Sequence, residues 1–308
     1  MKTRAIAATF KAKDTLEGAG VHLKRGFSNV EAAQFDPFLL FDDFSSTIPE
    51  HYLAGFPWHP HRGMETVTYI LDGAVRHKDS LGNEGVIESG AIQWMTAGSG
   101  IIHEEMPESA NGIRGFQLWI NLPKKEKMTP PRYQDLKSAT VPEIALGKEA
   151  RARVIAGELA GAQGPLRSIA GNPLYADITL DANGSVSIPL PVGHTVFAYV
   201  VDGALGAEIF NERSDYKNPS GVVYPQAPAG AGGERYAPGT ILLFERAGDE
   251  VSLHSGTFGA RFLLIAGASL NEPIAWHGPI VMNTDEELRE AFRDLQEGTF
   301  IRAHGLAK

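Results

Sequence analysis

Cysteine is absent from the 308 residues, and this absence removes several classes of protein. Without thiols the chain can form neither disulfides nor thiolate zinc sites, and it has no cysteine nucleophile. Long apolar runs are also missing, since none reaches the roughly 20 residues of a membrane-spanning helix. The N-terminal apolar stretch is too short for the hydrophobic region of a signal peptide. These absences predict a cytoplasmic protein that does not associate with a membrane.

Clusters of basic residues are missing as well. The chain carries 28 Lys and Arg residues against 37 Asp and Glu residues, which gives a formal net charge of −9. A protein that binds nucleic acid normally presents a basic stripe to the phosphates. We therefore expect no direct nucleic-acid partner, and we attribute the negative charge to solubility.

Residues that form turns and strands are plentiful. The chain has 34 Gly and 19 Pro, and 43% of its residues are hydrophobic. Short β-branched and aromatic runs alternate with turns, a pattern typical of β-sandwiches and barrels. Asp72 and Gly73 separate two such runs, residues 66–71 and 74–79, and predict a hairpin with a type I′ turn.

The second half of the chain repeats the first, which indicates two similar barrels. A charged, proline-rich segment, residues 123–131, lies between the halves and is interpreted as a solvated interdomain connection. We therefore predict a first barrel over residues 1–133 and a second over 134–308. The matched segments are 68–74 with 198–204, 89–95 with 238–244, and 115–120 with 260–265.

Two short motifs in the first half offer metal-binding side chains. Residues two apart on a strand point the same way, so His59 and His61 form one pair, and His103 and Glu105 form another. Three imidazoles and a carboxylate suit a first-row transition metal with positions left open for substrate. Glu65 has the same parity as the first pair. It is either a ligand in place of Glu105 or a carboxylate that orients an imidazole.

The second half lacks these side chains at the matching positions. Aligning the halves on their Asp-Gly turns and on Gly98 with Gly248 replaces each candidate ligand by a residue that binds such a metal poorly. The second barrel is therefore predicted to be empty, and the first is predicted to hold the working site. The replacing residues are Pro189, Pro191, Thr195, Leu253 and Ser255.

Two further segments carry predictions. Residues 211–238, rich in Pro, Gly and Ala, form an insertion whose length indicates either function or mobility. Residues 284–295 predict a helix that Thr284 or Asp285 can cap. Its apolar side chains, Leu288, Phe292 and Leu295, line one face and are expected to pack on a barrel.

Together these motifs resemble the pirin family, whose members have two stacked cupin barrels. The resemblance covers most of the chain. The stretches that carry it are residues 59–69 (HPHRGMETVTY), 93–98 (QWMTAG), 100–107 (GIIHEEMP), 117–121 (QLWIN), 265–267 (IAG) and 277–284 (HGPIVMNT). It implies an all-β fold of two tandem jelly-roll (double-stranded β-helix) barrels with a short C-terminal helix.

The resemblance also implies one metal in the first barrel, held by His59, His61, His103 and Glu105, with Glu65 left out of the ligand set. The metal is expected to be Fe(II), with Ni, Cu, Mn, Co and Zn as alternatives that the same ligands accept. Several pirins resemble quercetin 2,3-dioxygenases, which implies a flavonol-like substrate and dioxygen. In that reaction Glu105 accepts the flavonol proton, and the ring opens with loss of carbon monoxide. Gln93 is expected to lie near the pocket.

Two alternatives remain at the level of the sequence. Some pirins act as transcription cofactors or modulate a metabolic enzyme, so the chain is alternatively an iron-dependent regulator that binds a protein partner. A third reading is another small-molecule enzyme, such as an isomerase, on the same scaffold.

Overall fold

The computed structural model describes residues 1–166, 169–207 and 234–302. Of the predicted insertion, residues 211–233 lie outside these ranges. The helices are α1 (Ala32–Phe35) and α2 (Asp285–Glu297), with short 3-10 turns at Pro49–His51, Lys124–Glu126 and Ser138–Thr140. The strands in chain order are β1 (Ile6–Lys11), β2 (Lys13–Glu17), β3 (Val21–Phe27), β4 (Phe38–Asp43), β5 (Phe56–His61), β6 (Met64–Asp72), β7 (Ala74–Asp79), β8 (Glu84–Glu88), β9 (Ile92–Thr96), β10 (Ile101–Pro107), β11 (Arg114–Asn121), β12 (Arg132–Leu136), β13 (Glu143–Ala145), β14 (Ala150–Ala156), β15 (Glu158–Leu159), β16 (Ala162–Gln163), β17 (Leu174–Leu180), β18 (Ser185–Pro189), β19 (Thr195–Ala207), β20 (Arg235–Tyr236), β21 (Thr240–Phe244), β22 (Glu250–Gly267), β23 (Ala275–His277) and β24 (Ile280–Met282).

The chain forms two compact units, and their bounds differ from the predicted division at residue 133. Each unit includes one terminal segment that the prediction assigned to the other unit. One unit, here called the histidine unit, comprises Lys13–Thr140 and Leu270–Lys308, and the second unit comprises Met1–Ala12 and Val141–Ser269. Helix α2 therefore belongs with the first barrel, and β1 belongs with the second. The reason is pairing: β1 lies antiparallel to β21, with Ile6 opposite Phe244.

The histidine unit is built from two antiparallel sheets. One has seven strands in the order β12-β9-β6-β11-β4-β3-β2, and the other has four in the order β5-β10-β7-β8. Asp72 and Gly73 join β6 to β7, which lie in different sheets, so the predicted hairpin is wrong. Gly73 does take a positive φ of 95°. The turn forms a corner because β6 pairs with β9 and β11 instead of β7.

The second unit consists mainly of one curved sheet in the order β1-β21-β19-β22-β17-β14-β13, with β18 on β22 and β20 on β19. Its inward side chains form an apolar core that includes Val186, Ile188 and Leu253. In β18 and β22, Leu253 faces Val186 and Val251 faces Ile188. If Leu253 corresponds to His103, the register places Val186 and Ile188 at the positions of His59 and His61. The predicted Pro189 and Pro191 are thus three residues out of register.

The predicted C-terminal helix is confirmed as α2. The Thr284 hydroxyl accepts a hydrogen bond from the Glu287 backbone N–H, the Thr284 backbone N–H donates to the Glu287 carboxylate, and Gly298 closes the helix at a φ of 73°. The apolar face packs on a small cluster of the histidine unit with Ile280 and Phe300. The all-β architecture with one short C-terminal helix is therefore confirmed. Within the described ranges, no helix has the length and apolar character needed to cross a bilayer.

Candidate metal centre

Strands β5 and β10 bring three imidazoles together. The strands are antiparallel, with His103 opposite His59 and Ile101 opposite His61. His59 and His61 stand two residues apart and project to one side, and His103 meets them from the neighbouring strand. One nitrogen from each ring lies within 4.8 Å of one nitrogen of the other two. The predicted histidines therefore converge as the spacing requires.

The His59 ring has a defined tautomer. Its Nδ1 lies 2.8 Å from the Pro57 carbonyl oxygen. A carbonyl can only accept, so Nδ1 carries the proton and Nε2 keeps its lone pair. His59 thus presents an unprotonated nitrogen, the form that binds a metal. Trp119 contacts the neighbouring His61 edge-on, with ring centroids 5.1 Å apart.

The three rings are held as neutral imidazoles. Burial lowers the pKa of His59, although its backbone hydrogen bond to Pro57 opposes this. Burial, and then the proximity of the titratable His59 ring, lowers the pKa of both His61 and His103 well below the usual value. His103 Nε2 is buried and has no hydrogen-bond partner among the described residues. A buried imidazole nitrogen without a hydrogen-bond partner can bind a cation, so the residues present fit a metal ion.

Glu105 lies beside this cluster and has its own partner. Glu104 points away and pairs with Arg76 at 3.0 Å, which confirms the predicted alternation along β10. Thr68 donates to Glu105 through an Oγ1 to Oε1 contact of 2.6 Å. Burial raises the pKa of Glu105 to about 7, and the Thr68 hydrogen bond opposes this. Among the described residues, the group with mutually close ligand atoms contains the three histidines alone, so Glu105 as a ligand stays a prediction.

Glu65 and Gln93 lie on the seven-stranded sheet. Gly63, with a φ of 78°, interrupts the chain between β5 and β6. Glu65 therefore does not project to the same side as the histidines, although its position in the sequence has the same parity. The Thr96 hydroxyl donates a hydrogen bond to Glu65 Oε1 at 2.7 Å. Gln93 donates to the Tyr133 hydroxyl at 3.2 Å. An orienting role for either residue stays a prediction.

His77 is a residue of this site that the sequence motifs did not predict. Its Nε2 lies 3.1 Å from His103 Nδ1, and its ring stacks on Tyr133 with centroids 5.0 Å apart. The signal was present, because β7 alternates and buries Val75, His77 and Asp79. A single histidine on a buried strand face, however, does not indicate in the sequence which residue it contacts. Its contact with His103 depends on the pairing of β7 with β10.

A cavity of about 500 Å³ opens beside the imidazoles, and His59, His61 and Glu105 lie on its wall. This volume is in the range of about 300–1,000 Å³ that holds small molecules. At another part of the wall Arg25 binds Asp42 with a nitrogen-to-oxygen distance of 2.7 Å. The aromatic side chains of the wall are Phe44, Phe56, Trp119 and Trp276.

Comparison with known proteins identifies the family of this chain. The family described as Pirin matches residues 20–120, and the Pirin C-terminal cupin domain matches residues 175–301. A pirin-like protein of Caulobacter vibrioides is 41% identical over 302 residues, covering 97% of this chain and 100% of its own length.

Two further relatives carry enzyme names. A Pseudomonas aeruginosa protein, provisionally named a quercetin 2,3-dioxygenase, is 42% identical over 290 residues, covering 92% of this chain and 93% of its own. A crystal structure of quercetin 2,3-dioxygenase from Acinetobacter baumannii superposes with a TM-score of 0.82 at 34% identity, covering 97% of this chain and 98% of its own. With matches to both domains and across nearly its full length, the chain belongs to the pirin family of two-barrel cupin proteins.

Proposed function

We propose that this protein is a metal-dependent dioxygenase that opens the ring of flavonols in the manner of quercetin 2,3-dioxygenase. One observation carries the proposal: three neutral imidazoles converge, and two of them, His59 and His61, lie on the wall of a cavity of about 500 Å³. The names of the Pseudomonas and Acinetobacter relatives support the substrate class. The fold alone would not support a particular substrate class, because cupin barrels host many reactions.

His59, His61 and His103 would hold the metal, with Glu105 as the predicted fourth ligand. Fe(II) is our first choice, and Ni, Cu, Mn, Co and Zn suit the same nitrogen and oxygen donors. When bound, the metal supplies a Lewis acid next to the substrate. The second barrel has apolar side chains at its matching positions, so the proposal assigns one metal to each chain.

The chain's own residues bind the flavonol and move its proton. The aromatic wall, including Phe56 and Trp119, stacks on the flat rings and excludes water. Glu105 lies on the same wall, and a carboxylate there can accept the 3-hydroxyl proton of the substrate. The Arg25–Asp42 pair offers partners for phenolic hydroxyls farther along the cavity.

Replacement of His61 by alanine tests the metal site. We expect the variant to lose its metal after purification, because the imidazole is buried and belongs to the convergent cluster. Elemental analysis of wild type and variant measures the metal per chain. His194→Ala is the matched control, since His194 belongs to the second unit. A His61→Ala variant that retains one metal per chain would contradict the site.

The reaction is tested with quercetin and the pure metal-loaded protein. We expect oxygen uptake and release of carbon monoxide in equal amounts, and loss of both in Glu105→Gln. Oxygen electrode and gas analysis measure them. Full metal occupancy without oxygen uptake would reject the flavonol reaction and leave the metal site standing.

A second candidate is metal-dependent binding of a protein partner. The observation in its favour is Trp58, which is 52% exposed and adjoins His59. A pull-down that retains a partner with metal-loaded protein, and releases it with Trp58→Ala, would support this function.

A cytoplasmic location also stays a prediction, and cell fractionation tests it.

A further inference from the structure

A fourth imidazole stands beside the cluster of His59, His61 and His103. His77 is fully buried, and its Nε2 lies 3.1 Å from Nδ1 of His103. We propose that His77 is a positioning residue: its Nε2 accepts the Nδ1 proton of His103 and thereby directs the His103 Nε2 lone pair towards the metal. The inference rests on the proposed metal site and not on the flavonol reaction.

The tautomers follow from the two nitrogens of His103. His103 Nε2 is buried and has no hydrogen-bond partner among the residues that the structure describes. A metal there needs a lone pair, so the proton of the neutral His103 ring must sit on Nδ1. Among the described residues, the hydrogen-bond partner of His103 Nδ1 is His77 Nε2, so Nδ1 donates to that nitrogen. His77 must therefore keep its own proton on Nδ1, an atom that is also buried and has no hydrogen-bond partner among the described residues.

His77 is held in place for this role. Its strand pairs on both sides, with His77 opposite Glu105 on β10 and opposite Gly85 on β8. The Tyr133 ring stacks on it at an interplanar angle of 21°. Metal-bound histidines usually donate their second N–H to a carboxylate, a carbonyl or water. Here the acceptor is a nitrogen of the neutral His77 ring, so His77 can accept this hydrogen bond in only one of its two neutral tautomers.

Two variants separate positioning from packing. His77→Phe keeps a flat ring against Tyr133 and removes the acceptor, whereas His77→Gln supplies an oxygen acceptor. We expect His77→Phe to bind Ni(II) about 10–100-fold more weakly than wild type, and His77→Gln to recover most of the affinity. Competition with a chelator measures the affinities. The visible spectrum of the Co(II) forms should shift in His77→Phe and return towards wild type in His77→Gln.

Thermal unfolding of the metal-free forms checks that the variants are folded. Equal affinity and spectra for His77→Phe and wild type would overturn the proposal, as would a His77→Gln variant as weak as His77→Phe. Failure of wild type itself to bind Ni(II) would refute the metal site and this inference together. Metal binding without flavonol turnover would reject only the reaction.

A measurement on the wild type avoids any folding defect. In Zn(II)-loaded protein with ¹⁵N-labelled histidine, we expect the proton on Nδ1 of both His103 and His77. Long-range ¹H–¹⁵N correlation spectra distinguish the two nitrogens of each ring. A proton on His77 Nε2 would reverse the direction of the hydrogen bond and overturn the proposal.

Discussion

Thr68 ties the candidate carboxylate to the opposite sheet. Its hydroxyl lies on β6 and contacts Glu105 on β10 at 2.6 Å. Replacement by valine keeps the shape and removes the donor, so a buried carboxylate oxygen loses its partner. We expect the free energy of unfolding of metal-free protein to fall by about 1–3 kcal/mol. Urea titration measures it.

Thr68→Ser is the matched control for this change, because it retains the hydroxyl and loses only a methyl group. It should lie closer to wild type than Thr68→Val does. If the two variants were equally stable, the hydroxyl would contribute nothing and the short contact would be incidental.

At the scale of single residues, sequence spacing predicted the three histidines because period-two alternation holds within β5 and within β10. The role of Glu65 was not predictable, because Gly63 breaks the strand and the parity count with it. His77 was missed for another reason: its contact with His103 exists only once β7 pairs with β10.

At the scale of elements, a buried lysine fastens the C-terminal segment to the barrel. Lys127 is 2% exposed. Its Nζ donates to the Gly63 carbonyl at 2.8 Å, the Asn121 Oδ1 at 2.7 Å and the Val281 carbonyl at 2.9 Å. The predicted solvated connection over residues 123–131 is therefore wrong at this residue, because two of its three acceptors, the Gly63 and Val281 carbonyls, come from distant parts of the chain.

Lys127 also predicts a pH dependence. Burial lowers its pKa to about 7, with Glu272 and Glu287 opposing. The unfolded chain therefore binds this proton more tightly, and stability due to this group rises with pH between about 7 and the ordinary value of 10.5. We expect a contribution of up to about 1.4 kcal/mol per pH unit in that window.

Lys127→Met should remove this rise. Urea unfolding of both proteins at pH 7.5 and 9.5 measures it, since the other titrating groups are common to the two. The variant should also be less stable at pH 9.5, because the buried oxygens lose the N–H donors that the neutral amine supplies. Parallel pH dependences in the two proteins would show that Lys127 keeps its ordinary affinity for the proton.

At the scale of the molecule, internal repetition predicted two barrels but not the exchange of their ends. The repeat is visible because matched strands need similar apolar patterns. The prediction placed each end with its neighbours in sequence, because β1 and the segment after residue 269 lie outside the repeat and their pairing is decided by non-local contacts. β1 pairs with β21, and Arg62 in the histidine unit binds the Asp294 carboxylate of α2 at 2.7 Å.

This division predicts the effect of removing residues 1–12. The deletion takes β1 from the edge of the second unit's sheet and exposes the unpaired groups of β21. It also removes Arg4, a buried guanidinium that donates to the carbonyls of Pro191, His194 and Glu245. We expect the second unit to lose about 3 kcal/mol or more, since each such bond to a charged donor contributes about 1.5–3 kcal/mol.

The histidine unit should be unaffected, and the chain offers a probe that reports it alone. All four tryptophans, Trp58, Trp94, Trp119 and Trp276, belong to that unit. Urea unfolding followed by circular dichroism should therefore show an earlier transition in the truncated protein, while the tryptophan fluorescence transition and the Ni(II) affinity stay at wild-type values. A fluorescence transition that moved together with the circular dichroism, or a weakened Ni(II) affinity, would show that the two units unfold as one.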